Sequence, residues 1–160
     1  MIMNRSFILC IIFLFIPFFS LAITDYEKCL SLTRDHPSFE FHVYTIDIKT
    51  EEALKSCSSA LKTDPENPSI NNSLARVYYA LKDFDSAFKF FSKAYSLGYA
   101  NAAYAISIMY YEGEIGGKIS KTKYWEWVKK GAEAGSPWAL YSIGLDYEYG
   151  LIVDTDYKKA

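Results

Sequence analysis

The chain repeats itself in its C-terminal half with an offset of 37 residues. The segment from Ala102 to Gly113 shares Ala, Tyr, Ile, Tyr and Gly at matching positions with the segment from Ala139 to Gly150. The residues before each segment repeat at the same offset, so that Gly98 corresponds to Gly135. A fixed period of this length is the sequence signature of stacked helical repeats. One period holds two helices and two turns.

Residues that start and stop helices occur at regular intervals in and before this repeat. Side chains that cap or begin a helix are found at Thr50, Asn67-Pro68, Asp83, Asn101, Ser120, Ser136-Pro137, and Asp154 or Asp156. Glycines that close a helix in a left-handed conformation follow at Gly98, Gly113, Gly135 and Gly150. Small residues recur where helices must approach closely, at Ala75, Ala87, Ala94, Ala102, Ala139 and Gly144. We predict an all-α fold built of antiparallel helix pairs.

Composition agrees with a packed repeat protein. Hydrophobic residues make up 51% of the chain and aromatic residues 18%, which is far from the composition of disordered segments. The formal net charge is −2, with 17 basic and 19 acidic residues. Because there is no basic surplus, we expect no nucleic-acid partner.

The first 22 residues resemble a signal peptide. Arg5 is the only charged residue before Asp25, and it precedes an apolar run from Phe7 to Phe19. Small residues follow at Ser20-Leu21-Ala22, where a signal peptidase cleaves. The alternative is an uncleaved anchor, although the run is shorter than the roughly 20 residues of a membrane span. We expect a periplasmic or secreted protein with no stable membrane span after cleavage.

The cysteine count fits export. Cys10 would leave with the signal peptide, and Cys29 and Cys57 would remain. An even number of cysteines in an oxidising compartment predicts a disulfide between these two. The alternative is a pair of buried free thiols.

Several residues resemble known repeat families. The match to a tetratricopeptide repeat rests on Leu74-Ala75, Tyr78, Ala87, Phe91 and Ala94. The match to a first Sel1-like repeat rests on Ile106, Tyr110, Gly113, Trp125, Lys130 and Gly135, and to a second on Ala139, Ile143-Gly144, Tyr147, Gly150, Asp154 and Lys159-Ala160. The N-terminal part is similar to that of exported bacterial Sel1-repeat proteins at Cys29, Ile46-Asp47, Ala53, Cys57 and Pro65. Repeats of these families imply an all-α, right-handed superhelical solenoid of antiparallel helix pairs. This fold commonly serves as a scaffold but says little about function.

The resemblance divides the chain into five parts. They are a signal peptide (1–22), an N-terminal helical segment (23–66), a tetratricopeptide-like repeat (67–100), a Sel1-like repeat (101–136) and a partial Sel1-like repeat (137–160). Two features depart from the family pattern. The loop from Gly113 to Ser120 is irregular, and the sequence stops inside a repeat.

No arrangement of residues predicts catalysis. Gly117-Lys118-Ile119-Ser120 has the composition of a phosphate loop, but its spacing is wrong and it follows a helix instead of a strand. His36 and His42 have no third ligand at metal-binding spacing. We therefore expect no catalytic residue, no metal and no cofactor.

The remaining candidate is a partner-binding strip on the concave face. The first helix of each pair lines that face, and tyrosine and arginine are favoured at protein interfaces. The strip residues are Asn72, Arg76, Tyr79, Tyr104, Tyr111, Tyr141 and Glu148. The alternative is that the tyrosines only pack between repeats.

These observations predict an exported scaffold that binds another protein or peptide. Two alternatives remain. One is a cell-wall or β-lactam-related hydrolase of the cysteine-rich Sel1-like type, although those proteins have a cysteine pair in nearly every repeat. The other is a truncated remnant of a longer repeat protein.

Overall fold

A computed structural model describes residues 23–33 and 49–150, and this part contains seven α-helices and no strand. The helices are α1 (Asp25–Leu32), α2 (Thr50–Thr63), α3 (Pro68–Ala80), α4 (Phe84–Ser96), α5 (Ala100–Tyr111), α6 (Lys121–Glu133) and α7 (Pro137–Tyr149). The predicted all-α repeat architecture is confirmed. The predicted signal peptide, both histidines and the last predicted helix lie outside the described residues.

Side-chain caps fix most helix starts where the sequence predicts them. The Asn67 side chain accepts hydrogen bonds from the backbone N–H groups of Ser69 and Ile70, and Pro68 occupies the first helical position. Asp83 and Ser136 accept in the same way at the starts of α4 and α7. Each of these caps satisfies backbone donors that the first turn leaves unpaired.

The start of α5 differs from the prediction. The helix begins at Ala100, and Asn101, the predicted cap, lies inside its first turn. Its side chain has another role, because the Asn101 Oδ1 accepts a hydrogen bond from the Ser136 hydroxyl at 2.7 Å. Asn101 thus connects the start of α5 to the start of α7.

The helices pack as consecutive antiparallel neighbours. α3 packs on α4 and α5 on α6, and α4 and α6 also contact the first helix of the next pair. Alanines with no exposed surface lie at these contacts, at Ala75, Ala87, Ala94, Ala102 and Ala139, as the sequence predicts. Large side chains such as Ile106 and Met109 fill the space beside them.

A disulfide links the N-terminal helix α1 to the other helices. Cys29 in α1 and Cys57 in α2 form a disulfide with their Cα atoms 4.7 Å apart, and both cysteines are fully buried. They pack against Ile70 and Leu74 of α3. Within residues 23–33 and 49–150, no helix combines the length and the apolar character that a membrane span requires.

Candidate functional site

A small cavity lies between α3 and α5, and we call its surroundings the α3–α5 groove. Arg76 and Tyr79 line it from α3, Ala105 and Ile108 line it from α5, and Phe91 lines it from α4. The cavity has a volume of about 10 Å³, which is room for one water molecule at most. A ligand would therefore lie across the opening of the groove, and no small molecule fits inside it.

Arg76 places a positive charge among the apolar residues of the groove. The residue is only 5% exposed. Burial lowers the pKa of the Arg76 guanidinium to about 10, an effect that nearby Tyr99 partly opposes. The side chain stays protonated at neutral pH. A cation with so little hydration interacts more strongly with an approaching negative group than a solvated cation does.

Glu114 supplies a negative group at the same groove. It accepts a hydrogen bond from the Tyr79 hydroxyl, and burial raises the pKa of the Glu114 carboxyl. The hydrogen bond from Tyr79 opposes that rise, and the charge of Glu112 adds to it. The second carboxylate oxygen, Oε2, is buried and makes no hydrogen bond within the described part of the chain. Glu114 can therefore accept one more donor, such as a backbone N–H or an ammonium group.

The loop after α5 holds Glu114 in place. The backbone N–H of Glu114 donates to the Met109 carbonyl at 2.9 Å, and the N–H of Ser120 donates to the Tyr110 carbonyl at 2.9 Å. Gly113 has a φ of 77°, and a Cβ there would lie 3.0 Å from the backbone nitrogen of Ile119. Only glycine fits this turn without strain.

The structure separates the residues of the predicted strip. Arg76 and Tyr79 lie at the α3–α5 groove, and Asn72 is buried one turn before Arg76. Tyr104 is 3% exposed and packs with Tyr124, Val128 and Ala139. Tyr104 therefore offers almost no surface to a partner, because α6 covers this side of α5.

The other three residues of the strip lie on the outside. Tyr111 is 44% exposed, and its ring centroid lies 5.3 Å from that of Tyr124. Tyr141 and Glu148 are exposed on α7. The strip is thus not one continuous surface, and whether its members contact a partner stays a prediction.

Glu114 was not predicted from the sequence as a residue of the candidate site. The only signal was the irregularity of the Gly113–Ser120 loop, which indicates a special backbone path but not which side chain that path buries.

A second depression, about 410 Å³ in volume, lies beside the start of α1. It is lined by Thr24, Asp25, Tyr26, Ala60, Thr63, Asp64, Asn67 and Ile70. Asp25 accepts a hydrogen bond from Ser59 and Asp64 accepts one from Asn67, so both carboxylates have structural roles. Among the residues in the described ranges, no three His, Cys, Asp or Glu side chains are grouped to hold a metal ion.

Comparison with known proteins supports the repeat assignment. No curated protein matches the sequence significantly. A family model described as tetratricopeptide repeat matches residues 49–105. The matched segment spans α2, α3 and α4 and the first half of α5, and so includes Arg76, Tyr79 and Phe91 of the groove. Residues 49–105 contain a tetratricopeptide-type repeat, the kind of helical repeat that commonly serves as a scaffold for protein interactions.

Proposed function

We propose that the protein is an exported scaffold that binds an extended segment of another protein across the α3–α5 groove. The observation that carries this proposal is the burial of a cation and an acceptor on the two sides of one groove. Arg76 is buried on α3, and the carboxylate of Glu114 is half-buried on the loop after α5. The tetratricopeptide-type repeat supports a role in protein interaction.

The chemistry of the groove suits a peptide. An extended peptide presents carbonyl oxygens and N–H groups along the same edge. Arg76 can donate to a carbonyl or carboxylate oxygen, and Glu114 Oε2 can accept from an N–H group or a lysine. Tyr79 offers an aromatic surface between them, with its hydroxyl fixed by Glu114. Hydrogen bonds that involve charged groups at partly buried sites are stronger than those between neutral groups.

We further propose that the C-terminal repeats are Sel1-like, over residues 101–136 and 137–160. The loop lengths support this assignment. Residues 81–83 connect α3 to α4, whereas residues 112–120 connect α5 to α6. A longer loop inside the helix pair is what the Sel1-like resemblance implies.

Export is also part of the proposal. The disulfide between Cys29 and Cys57 supports it, because such bonds persist in the periplasm and outside the cell but are rare in the cytosol.

Photo-crosslinking can test the binding site while the partner is still unidentified. The variant Tyr79→p-benzoylphenylalanine keeps an aromatic ring in the groove, and Lys89→p-benzoylphenylalanine places the same group at an exposed site on α4. Each is expressed in the native cells and irradiated. We expect a discrete protein adduct from position 79 and none from position 89.

Equal adduct patterns from both positions would contradict the groove assignment. So would the absence of any adduct from position 79 in cells where the variant is folded and disulfide-bonded.

A further inference from the structure

The loop between α5 and α6, residues 112–120, packs against the α3–α5 groove through two neighbouring side chains. Glu114 accepts a hydrogen bond from the hydroxyl of Tyr79, which lines the cavity of the groove. Ile115 is partly buried and packs against the core cluster that includes Phe91 and Ala105, two further residues of the cavity lining. The first half of the loop is therefore held against the residues that form the groove.

The second half of the loop is open to solvent. Residues 116–119 are exposed, and nothing lies within 4 Å of a Cβ built on Gly116 or Gly117. Both glycines have a positive φ, at 72° and 69°. Because glycine adopts many backbone conformations at little cost, these two residues can absorb the change in dihedral angles when the packed half of the loop moves.

The carboxyl of Glu114 is the weak point of the packed half. Its Oε2 is buried and accepts no hydrogen bond within the described part of the chain. The adjacent cavity of about 10 Å³ has room for one water molecule at most, so little hydration can replace the missing donor. A buried charge without a partner costs much more free energy than a buried neutral group. Ionisation of Glu114 therefore favours a state in which the loop has moved and water reaches the carboxylate.

The charged and titratable groups around Glu114 modify this effect. Burial is the largest influence and raises the pKa of the Glu114 carboxyl, the hydrogen bond from Tyr79 lowers that pKa, and the charge of Glu112 raises it. Burial also raises the pKa of Tyr79, so its hydroxyl stays protonated at neutral pH. Arg76 lines the same cavity but is not among the influences on this carboxyl.

We propose that the 112–120 loop opens when Glu114 ionises, so that the α3–α5 groove becomes more accessible as the pH rises. The closed loop is favoured below the ordinary carboxyl pKa of 4.5, and this preference is lost as the pH rises through the higher pKa of the closed state. Opening exposes Oε2, which a donor cannot reach while the loop is closed. The consequence for binding rests on the proposed function, whereas the loop movement is a property of the free protein.

Hydrogen exchange followed by NMR on the full, disulfide-bonded chain without a partner measures loop opening. The backbone amides of Glu114 and Ser120 report on the loop, because they donate to the carbonyls of Met109 and Tyr110 across it. The amides of Tyr99 and Ser136 are the controls, since they make backbone hydrogen bonds in other turns. Protection factors, which correct for the intrinsic pH dependence of exchange, are compared between about pH 4 and pH 7.

We expect the protection of the two loop amides to fall by about fivefold or more over this range, relative to the control amides. Glu114→Gln cannot ionise and should abolish the fall, whereas Glu133→Gln, at an exposed site on α6, should leave it unchanged. Tyr79→Phe should enlarge the fall, because the ionised carboxylate then loses its donor as well.

A fall of the same size in Glu114→Gln would overturn the proposal, and so would a fall in the native chain no larger than that of the control amides. The control amides also show whether each variant is folded. Failure of the groove as a binding site is a separate result. In that case position 79 gives no crosslinked adduct although the loop amides follow the pH as expected.

Discussion

Gly131 in α6 and Ala139 in α7 approach so closely that no side chain fits between the two helices. A Cβ on Gly131 would lie 2.9 Å from the Cβ of Ala139 and 3.5 Å from the Cβ of Ala103 in α5. Real Cβ contacts are longer than the first of these distances, so a neighbour would have to move. The spacing of α5, α6 and α7 therefore depends on this glycine, although glycine inside a helix costs about 1 kcal/mol relative to alanine.

Gly131→Ala tests this close contact. Overpacking costs roughly 1–3 kcal/mol, which outweighs the gain of about 1 kcal/mol in helix propensity, so we expect a small net loss of stability. Urea denaturation measures it. Ala139→Gly removes the opposing methyl group. The double variant should therefore be more stable than the sum of the two single effects predicts, by a coupling energy of at least about 0.5 kcal/mol. Strictly additive effects would mean that the two positions do not touch.

The turn between α3 and α4 allows a stabilising substitution. Lys82 is exposed and has a φ of 60°, a left-handed conformation that costs a residue with a side chain about 1–2 kcal/mol. Because glycine adopts this conformation readily but also gains more entropy when unfolded, we expect Lys82→Gly to stabilise the fold by about 0.5–1 kcal/mol. Lys89→Gly, inside α4, is the matched control and should destabilise by about 1 kcal/mol. If thermal unfolding shows Lys82→Gly to be less stable than Lys89→Gly, the left-handed conformation assigned to Lys82 is wrong.

The disulfide should contribute measurably to stability. It closes a loop with a sequence separation of 28 residues, so its loss should cost about 2–4 kcal/mol, chiefly by freeing the unfolded chain. The variant Cys29→Ala/Cys57→Ala is compared with the native chain by chemical denaturation. A reductant should destabilise the native chain and leave the double variant unchanged. Two thiols that react with a labelling reagent in the denatured, unreduced chain would rule the disulfide out.

Asp146 gives the stability a defined dependence on pH. The carboxyl is buried, and it accepts a hydrogen bond from the Tyr124 hydroxyl at 3.2 Å. Burial raises the pKa of Tyr124 to about 12, so this donor stays protonated. Burial also raises the pKa of Asp146 above its ordinary value of 3.8, and the hydrogen bond from Tyr124 opposes that rise.

The sign of the effect follows from the raised pKa. The folded protein keeps the Asp146 proton at pH values where the unfolded chain has released it, so stability falls as the pH rises from the unfolded pKa through the folded pKa. Asp146→Asn stays neutral, and its stability relative to the native chain should therefore increase with pH across this window. Urea midpoints between about pH 3 and pH 7 measure the difference. A difference that is constant over the whole range would contradict this prediction.

The sequence predicts the helices well because their signals are local. Asn67, Asp83 and Ser136 cap helices with their own side chains, and each cap can be recognised from its residue type and its position before an apolar helix. The left-handed turn at Lys82 could not be predicted in this way, because the usual glycine is missing and the turn is imposed by the packing of α3 on α4.

The candidate site is harder to predict because it depends on contacts between distant segments. Tyr104 and Tyr141 are equivalent in sequence, and only the presence of α6 beside one of them decides which is buried. Glu114 joins the groove because the loop after α5 folds back on that helix, bringing the carboxylate to Tyr79, 35 residues earlier in the chain. Neither contact leaves a periodic pattern in the sequence.

The central claim is that the α3–α5 groove binds another protein through the carboxylate of Glu114 as well as through Arg76. The most direct measurement is the dissociation constant of the crosslinked partner segment for Glu114→Gln and for Glu112→Gln, an exposed acid two residues away on the same loop. Loss of a hydrogen bond to a charged group should weaken binding by about tenfold or more in Glu114→Gln, with less than about twofold change in Glu112→Gln. If both variants are folded and have equal dissociation constants, the Glu114 carboxylate does not contribute to partner binding and the central claim is wrong.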